Sequence, residues 1–83
     1  MGGHHKQAIN DVDLEVLILQ VLAHQPYGLM WPEMRRRMEI MANGKYVASY
    51  RITATLGRMR AQGLIEKEFY GRSAVYRRTN NKV

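Results

Sequence analysis

The sequence predicts an α+β domain in which a three-helix core is closed by a C-terminal β-hairpin. Three observations carry that expectation. Apolar residues recur at helical spacing in three segments between Ile9 and Gln62. After Gly63 the period turns extended, in two short runs either side of Gly71-Arg72-Ser73. The breaks between segments fall on Pro26, Gly28, Asn43-Gly44 and Gly63, residues that stop helices or open turns.

The first helix is expected over Asp11 to Gln25. Leu14, Leu17, Ile18, Val21 and Leu22 share one face, Asn10 or Asp11 can cap the start, Asp13 and Glu15 suit the positive end of the helix dipole, and Pro26 stops it. A second apolar stripe, Ile9, Val12, Val16, Leu19 and Ala23, runs along the same helix. It is either covered by the chain's own core or is the contact surface of a homodimer, since a domain this small has little chain to cover both stripes. Tyr27-Gly28 is a turn, and Gly28-Leu29-Met30 can form a very short strand. The second helix is expected from Pro32 to Ala42, with proline and Glu33 as start signals, Met34, Met38 and Met41 facing the core, Arg35, Arg36 and Arg37 outward, Trp31 as an anchor and Asn43-Gly44 as a left-handed cap. The third helix opens at or just before Ser49 and reaches about Gln62, with Ile52, Leu56 and Met59 buried and Gly63 as its cap. Ile65–Tyr70 and Ala74–Thr79 form the hairpin, which must pack on the helices because a lone hairpin is marginal in water.

At 83 residues the chain fits one domain, over 9–79, with residues 1–8 as a disordered arm or expression scar and 80–83 as a frayed tail. There is no cysteine, hence no disulfide framework and no thiolate metal site, and no apolar run long enough to span a membrane. A soluble, cytoplasmic protein is the resulting expectation. The net charge is +6, unevenly divided: residues 1–39 hold four Lys/Arg against five Asp/Glu (−1), and residues 40–83 hold nine against two (+7). Basic charge gathered in one half points to a polyanionic partner over a merely solvated surface.

Helices two and three, joined by a short glycine-bearing turn, have the helix-turn-helix layout, in which the second helix enters the major groove of double-stranded DNA. The third helix must then bury one stripe and leave the other free. No acidic residue occurs from Val47 to Gln62, whereas an ordinary solvated helix face carries glutamates. The candidate DNA-binding residues are Lys45, Tyr46, Ser49, Tyr50, Arg51, Thr53, Ala54 and Arg58. Arg51 can reach guanine or phosphate, Thr53 and Ala54 allow close approach, and Ser49 and Tyr50 can donate to phosphate. Arg72 and Ser73 at the hairpin tip add a wing, about 70–74, for the adjacent minor groove or backbone.

The segments Ile18-Leu19 with Leu22, Pro26-Tyr27-Gly28, Leu56-Gly57-Arg58-Met59-Arg60-Ala61-Gln62-Gly63-Leu64-Ile65 and Val75-Tyr76-Arg77-Arg78-Thr79 together resemble the winged helix-turn-helix DNA-binding domains of bacterial PadR-like transcriptional regulators, and more loosely the MarR-like ones. The resemblance covers about residues 12–79 and implies a DNA-binding regulator, more often a repressor. The chain departs from the PadR-like pattern at Leu29, where an aromatic is usual, and at Arg51-Ile52-Thr53-Ala54, where Thr-Leu-Tyr-Pro is common. The family's C-terminal helices for dimerisation and effector binding have no counterpart in the sequence, so no small-molecule effector is expected.

Catalytic chemistry finds no support. His4-His5 and His24 are too few and too scattered for a metal site, and no phosphate-binding glycine loop or nucleophile elbow occurs. Glu66 and Glu68 flank Lys67 on one strand and read as cross-strand partners of arginines, not as an acid–base pair. The expectation is a non-enzymatic regulator with no cofactor or metal. The alternatives are a protein-interaction module in a larger complex, with Arg35-Arg36-Arg37 facing an acidic partner, and a non-specific DNA-coating or RNA-binding protein.

Overall fold

The first helix, α1 (Asp11–Leu22), begins where Asn10, in extended backbone, accepts the amide of Asp13 on its side-chain Oδ1 at 2.8 Å. The computed structural model describes residues 9–43 and 47–79. Leu14, Leu17, Ile18, Val21 and Leu22 are buried, as their spacing predicts. Ile9 is also buried, so this end of the second stripe is covered by the chain's own core, which corrects its place among the candidate dimer-contact residues. It stands just before the cap and Leu14 four positions after it, the two ends of a hydrophobic staple, and both belong to the core cluster. The helix stops at Leu22, three residues short of the expected Gln25. Pro26 bars Gln25 from helical backbone, and the last turn tightens instead, with the Gln25 amide bonded to the Leu22 carbonyl at 3.1 Å.

A turn with Pro26 at its second position closes through the Gly28 amide and the Gln25 carbonyl at 2.8 Å. It delivers β1 (Leu29–Met30) to the sheet and runs straight into α2 (Trp31–Met41), with Pro32 in the first turn. Met34 and Met38 are fully buried, but Met41 is half-exposed and Ala42 takes the inward position expected of it. The inward side of α2 runs from the half-buried Trp31 through Met34 and Met38 to Ala42 at the cap, a line that favours position 42 over 41 at 3.6 residues per turn. Asn43 then adopts left-handed backbone (φ 59°), the expected cap.

Val47 and Ala48 are buried and lead into α3 (Ser49–Ala61), whose inward residues are Ile52, Thr55, Leu56 and Met59. The helix ends in a Schellman motif. Gly63 is left-handed (φ 79°), the Leu64 amide bonds the Met59 carbonyl at 2.9 Å, and the Gly63 amide bonds that of Arg60 at 3.0 Å. Strands β2 (Ile65–Tyr70) and β3 (Ser73–Arg78) follow. Ser73 belongs to β3, paired with Tyr70, so the turn is the two residues Gly71-Arg72 with Gly71 at φ 63°, one residue tighter than the expected Gly71-Arg72-Ser73.

The sheet is antiparallel with order β1-β3-β2. Leu29 faces Tyr76 and Met30 faces Val75, so the brief strand becomes the third member of the sheet and fastens the hairpin to the start of α2. Gly28 makes that junction possible: at φ 82°, an added Cβ would lie 2.6 Å from both the Tyr76 carbonyl oxygen and a Val75 methyl. Helices α1, α2 and α3 enclose the core, and Ile65 and Tyr76 close it from the sheet. The result is an α+β domain of three helices and a three-stranded antiparallel sheet, compatible with a winged helix layout. Among the described residues no helix is long and apolar enough to cross a membrane.

Candidate nucleic-acid interface

The outward face of α3 is set by what the helix buries. With Ile52, Thr55, Leu56 and Met59 pointing in, the opposite side carries Tyr50, Ala54, Gly57 and Ala61, all exposed. This is a smooth ridge headed by one aromatic: Tyr50 keeps 75% of its surface, and the three residues behind it have no side chain beyond Cβ. Arg51 and Arg58 flank the ridge on the side of α1, and Thr53 and Arg60 flank it on the other.

The expected site residues separate into three groups. Tyr50, Thr53 and Ala54 are exposed on the face, and Arg72 stands exposed at the hairpin tip beside Ser73. Ser49 is exposed, and its hydroxyl accepts a hydrogen bond from Arg35 Nη1 at 2.6 Å. Arg51 and Arg58 do not project freely from the helix as expected. Arg51 Nη2 donates to Asp11 Oδ1 at 2.6 Å, and Arg58 lies 3.6 Å from Glu15 and donates to Thr55 Oγ1 at 3.2 Å. Their positions on the flank, within reach of the acidic first turns of α1, turn both guanidinia sideways. Lys45 and Tyr46 lie outside the described residues.

Three residues of the face escaped sequence reasoning: Gly57, Ala61 and Arg60. Counting helical angle from the buried triad Ile52, Leu56 and Met59 would have found all three, since they fall opposite or beside it. Gly57 is informative. Among the described residues an added Cβ there would meet nothing within 4 Å, so nothing in them requires glycine at this interior helical position. Arg60, Arg72 and Arg78 make no ion pair among the described residues, which leaves Arg60 and Arg72 as available cations on the helix and the tip.

Among the described residues, the other arginines are occupied within the chain. Arg35 bonds Ser49 Oγ and the Val47 carbonyl (3.2 Å), pairs with Glu39 at 3.2 Å and lies over the Trp31 ring at 5.8 Å. It thereby ties α2 to the start of α3, a role its outward helical position did not announce. Arg36 and Arg37 both engage Glu33 and hold its carboxyl below the usual range. The triple arginine is thus not a free patch. On the outer face of the hairpin Arg77 pairs with Glu66 at 3.0 Å and Glu68 at 2.7 Å, the expected cross-strand partners. Arg77 and then the Tyr70 hydroxyl hold the Glu68 carboxyl down at about 2, and the same contacts raise Arg77 above its ordinary value. Asp11 is held below its ordinary value, chiefly by the Arg51 hydrogen bond.

The proposed dimer stripe is also redistributed. Val12 (72% exposed) and Val16 (47%) stand free on α1, as does Ala23, but Ile9 is in the core and Leu19 is half-buried against it. Leu19 lines one wall of an open cleft of about 810 Å³ between the end of α1 and the base of the hairpin. No protein-family model matches the chain, and comparison with curated proteins finds no match.

Proposed function

We propose that this chain is a winged helix-turn-helix domain that binds double-stranded DNA and regulates transcription without catalysing a reaction or using a cofactor. In this reading α3 lies in the major groove and the Gly71-Arg72 tip reaches the adjacent minor groove or backbone. The observation that carries it is the α3 face itself. Ala54, Gly57 and Ala61 form a ridge low enough for the helix backbone to approach base edges, with arginines along both flanks and no acid on the helix. An interior helical glycine costs ~0.5–1 kcal/mol relative to alanine. At position 57 nothing among the described residues offsets that cost, whereas a closely approaching duplex would. The shape suits the groove, which is about as wide as one α-helix. Tyr50, Ser49, Thr53, Arg60 and Arg72 supply donors for phosphates, and Arg51 supplies a donor for guanine.

The free stripe Val12, Val16 and Ala23 is the proposed homodimer contact, and two copies would read two half-sites. The PadR-like resemblance supports repression, by occluding a promoter, and the DNA-binding reading carries with it a cytoplasmic, nucleoid-associated location. Fluorescence anisotropy with duplexes selected from random sequence, at two salt concentrations, tests the proposal. A selected duplex should bind at least ~10³-fold tighter than a scrambled one, with log affinity falling by about 0.9 per phosphate contact for each unit of log salt. Equal, strongly salt-dependent binding to every duplex would replace the regulator with a coating protein. No binding at low salt would remove DNA as the partner.

A further inference from the structure

We propose that Asp11 and Glu15, outside the recognition helix, are specificity-determining residues of the DNA face, acting by holding Arg51 and Arg58 away from indiscriminate contact with phosphates. The inference rests on the DNA-binding reading above and deepens it. Its basis is the match between two helices. The carboxylates stand four residues apart on α1, the guanidinia seven apart on α3, and each pairs with its neighbour across the gap, at 2.6 Å for Asp11–Arg51 and 3.6 Å for Glu15–Arg58. Between them lies a shallow groove of about 270 Å³ lined by Asp11, Tyr50, Arg51, Ala54, Thr55 and Arg58. The pairs therefore sit at the edge of the face proposed to read bases.

Their placement has an electrostatic consequence. In the first pair the Asp11 side chain keeps 65% of its surface and Arg51 only 21%, so there the anion is the more exposed partner; in the second the order is reversed, with Arg58 at 44% and Glu15 at 31%, so Asp11 carries the larger share of the effect. A duplex offering only phosphates meets a carboxylate first, and gains from Arg51 merely the exchange of one anion for another. Such exposed pairs are weak and exchangeable, so they discriminate without sealing the face. A guanine edge is different, because its O6 and N7 are neutral acceptors that the carboxylate does not repel. A guanidinium has five donors in a fixed fork, enough to keep Asp11 on one edge and present another to the base. Asp11 then orients Arg51 for base readout while withholding its charge from the backbone. The general preference of helix N-termini for acids does not account for the pairing, because Asp13 serves that end equally and makes no ion pair among the described residues.

The test is the double variant Asp11→Asn, Glu15→Gln of the full chain, set beside Asp13→Asn and wild type. Each is titrated against the selected and the scrambled duplex over a salt series, with urea midpoints to verify folding. The double variant should bind the scrambled duplex about tenfold tighter, with a salt slope steeper by ~1–2 as two arginines become free for phosphates. Affinity for the selected duplex should rise less than threefold, so the specificity ratio falls. Asp13→Asn should leave the ratio unchanged. An unchanged ratio in the double variant, or an equal fall in Asp13→Asn, would overturn the inference while leaving the DNA reading intact. Wild type that binds no duplex at low salt would remove both.

Discussion

Gly28 and Gly57 are both glycines, and the fold needs only one of them. At Gly28 the backbone is left-handed and the sheet passes close enough that a Cβ would lie 2.6 Å from the Tyr76 carbonyl. Gly28→Ala should therefore destabilise the domain by about 2–5 kcal/mol, combining ~1–2 for left-handed backbone with ~1–3 for the overpacked junction, read as a lowered urea midpoint. Gly57→Ala should do the opposite to stability, adding ~0.5–1 kcal/mol, because the position is helical and open. The same variant should weaken binding to a selected duplex. Tighter binding, or none of the expected loss, would separate Gly57 from the interface. Sequence could not tell these glycines apart by type. Gly28 was legible as a turn after Pro26, but the reason it must be glycine lies across the chain at Val75 and Tyr76, invisible to any local pattern. Arg51 shows the same limit: its outward spacing was readable, and its capture by Asp11, 40 residues earlier, was not.

At the scale of elements, the three helices and the hairpin were legible because their periods differ and their ends carry caps. What was missed follows from partners distant in sequence. β1 has only two residues, too short to show alternation, and exists as a strand because β3 offers it a free edge. The hairpin has its own test in Glu68. Its carboxyl titrates at about 2 in the folded chain against 4.5 ordinarily, through Arg77 and Tyr70. A depressed carboxylate favours the folded state fully above the ordinary value, and that contribution fades as pH falls from about 4.5 through about 2. NMR titration should find the low midpoint in wild type and its return toward 4.5 in Arg77→Gln, whose hairpin should also lose the acid-dependent part of its stability. The other end of the hairpin is separable from this network. Arg72 makes no ion pair among the described residues, so Arg72→Ala should leave the unfolding free energy from urea titration within ~0.5 kcal/mol of wild type. It should also flatten the salt dependence of duplex binding by ~0.9, the signature of one lost phosphate contact.

At the scale of the whole molecule the question is what meets the free flank of α1. Sequence showed a second apolar stripe but could not divide it, because burial depends on which neighbours arrive. The fold draws Ile9 inward as a staple, half-covers Leu19, and leaves Val12, Val16 and Ala23. A charge at Leu19 would damage the core itself and prove nothing about association. Val16→Glu is the cleaner probe, since the residue is 47% exposed and on a helical position that tolerates glutamate. Wild type should sediment at twice the mass of one 83-residue chain, and Val16→Glu at the single mass with an unchanged circular dichroism spectrum. Under the proposed function, the consequence for DNA binding would be larger than the loss of one contact. Two linked recognition helices convert the second half-site into an intramolecular encounter, an avidity gain of about 10²–10⁴ when spacing allows both to engage. A two-fold related pair favours half-sites centred about one helical turn apart, ~34–36 Å. Val16→Glu should therefore lose at least ~10²-fold affinity for a duplex with two half-sites at that spacing. Its affinity for a single half-site should stay at the wild-type value, because α3 and the Gly71-Arg72 tip are untouched. A variant that stays dimeric would place the dimer contact elsewhere on the surface. A wild-type chain that is monomeric and shows no preference for paired half-sites would leave α3 reading one site alone.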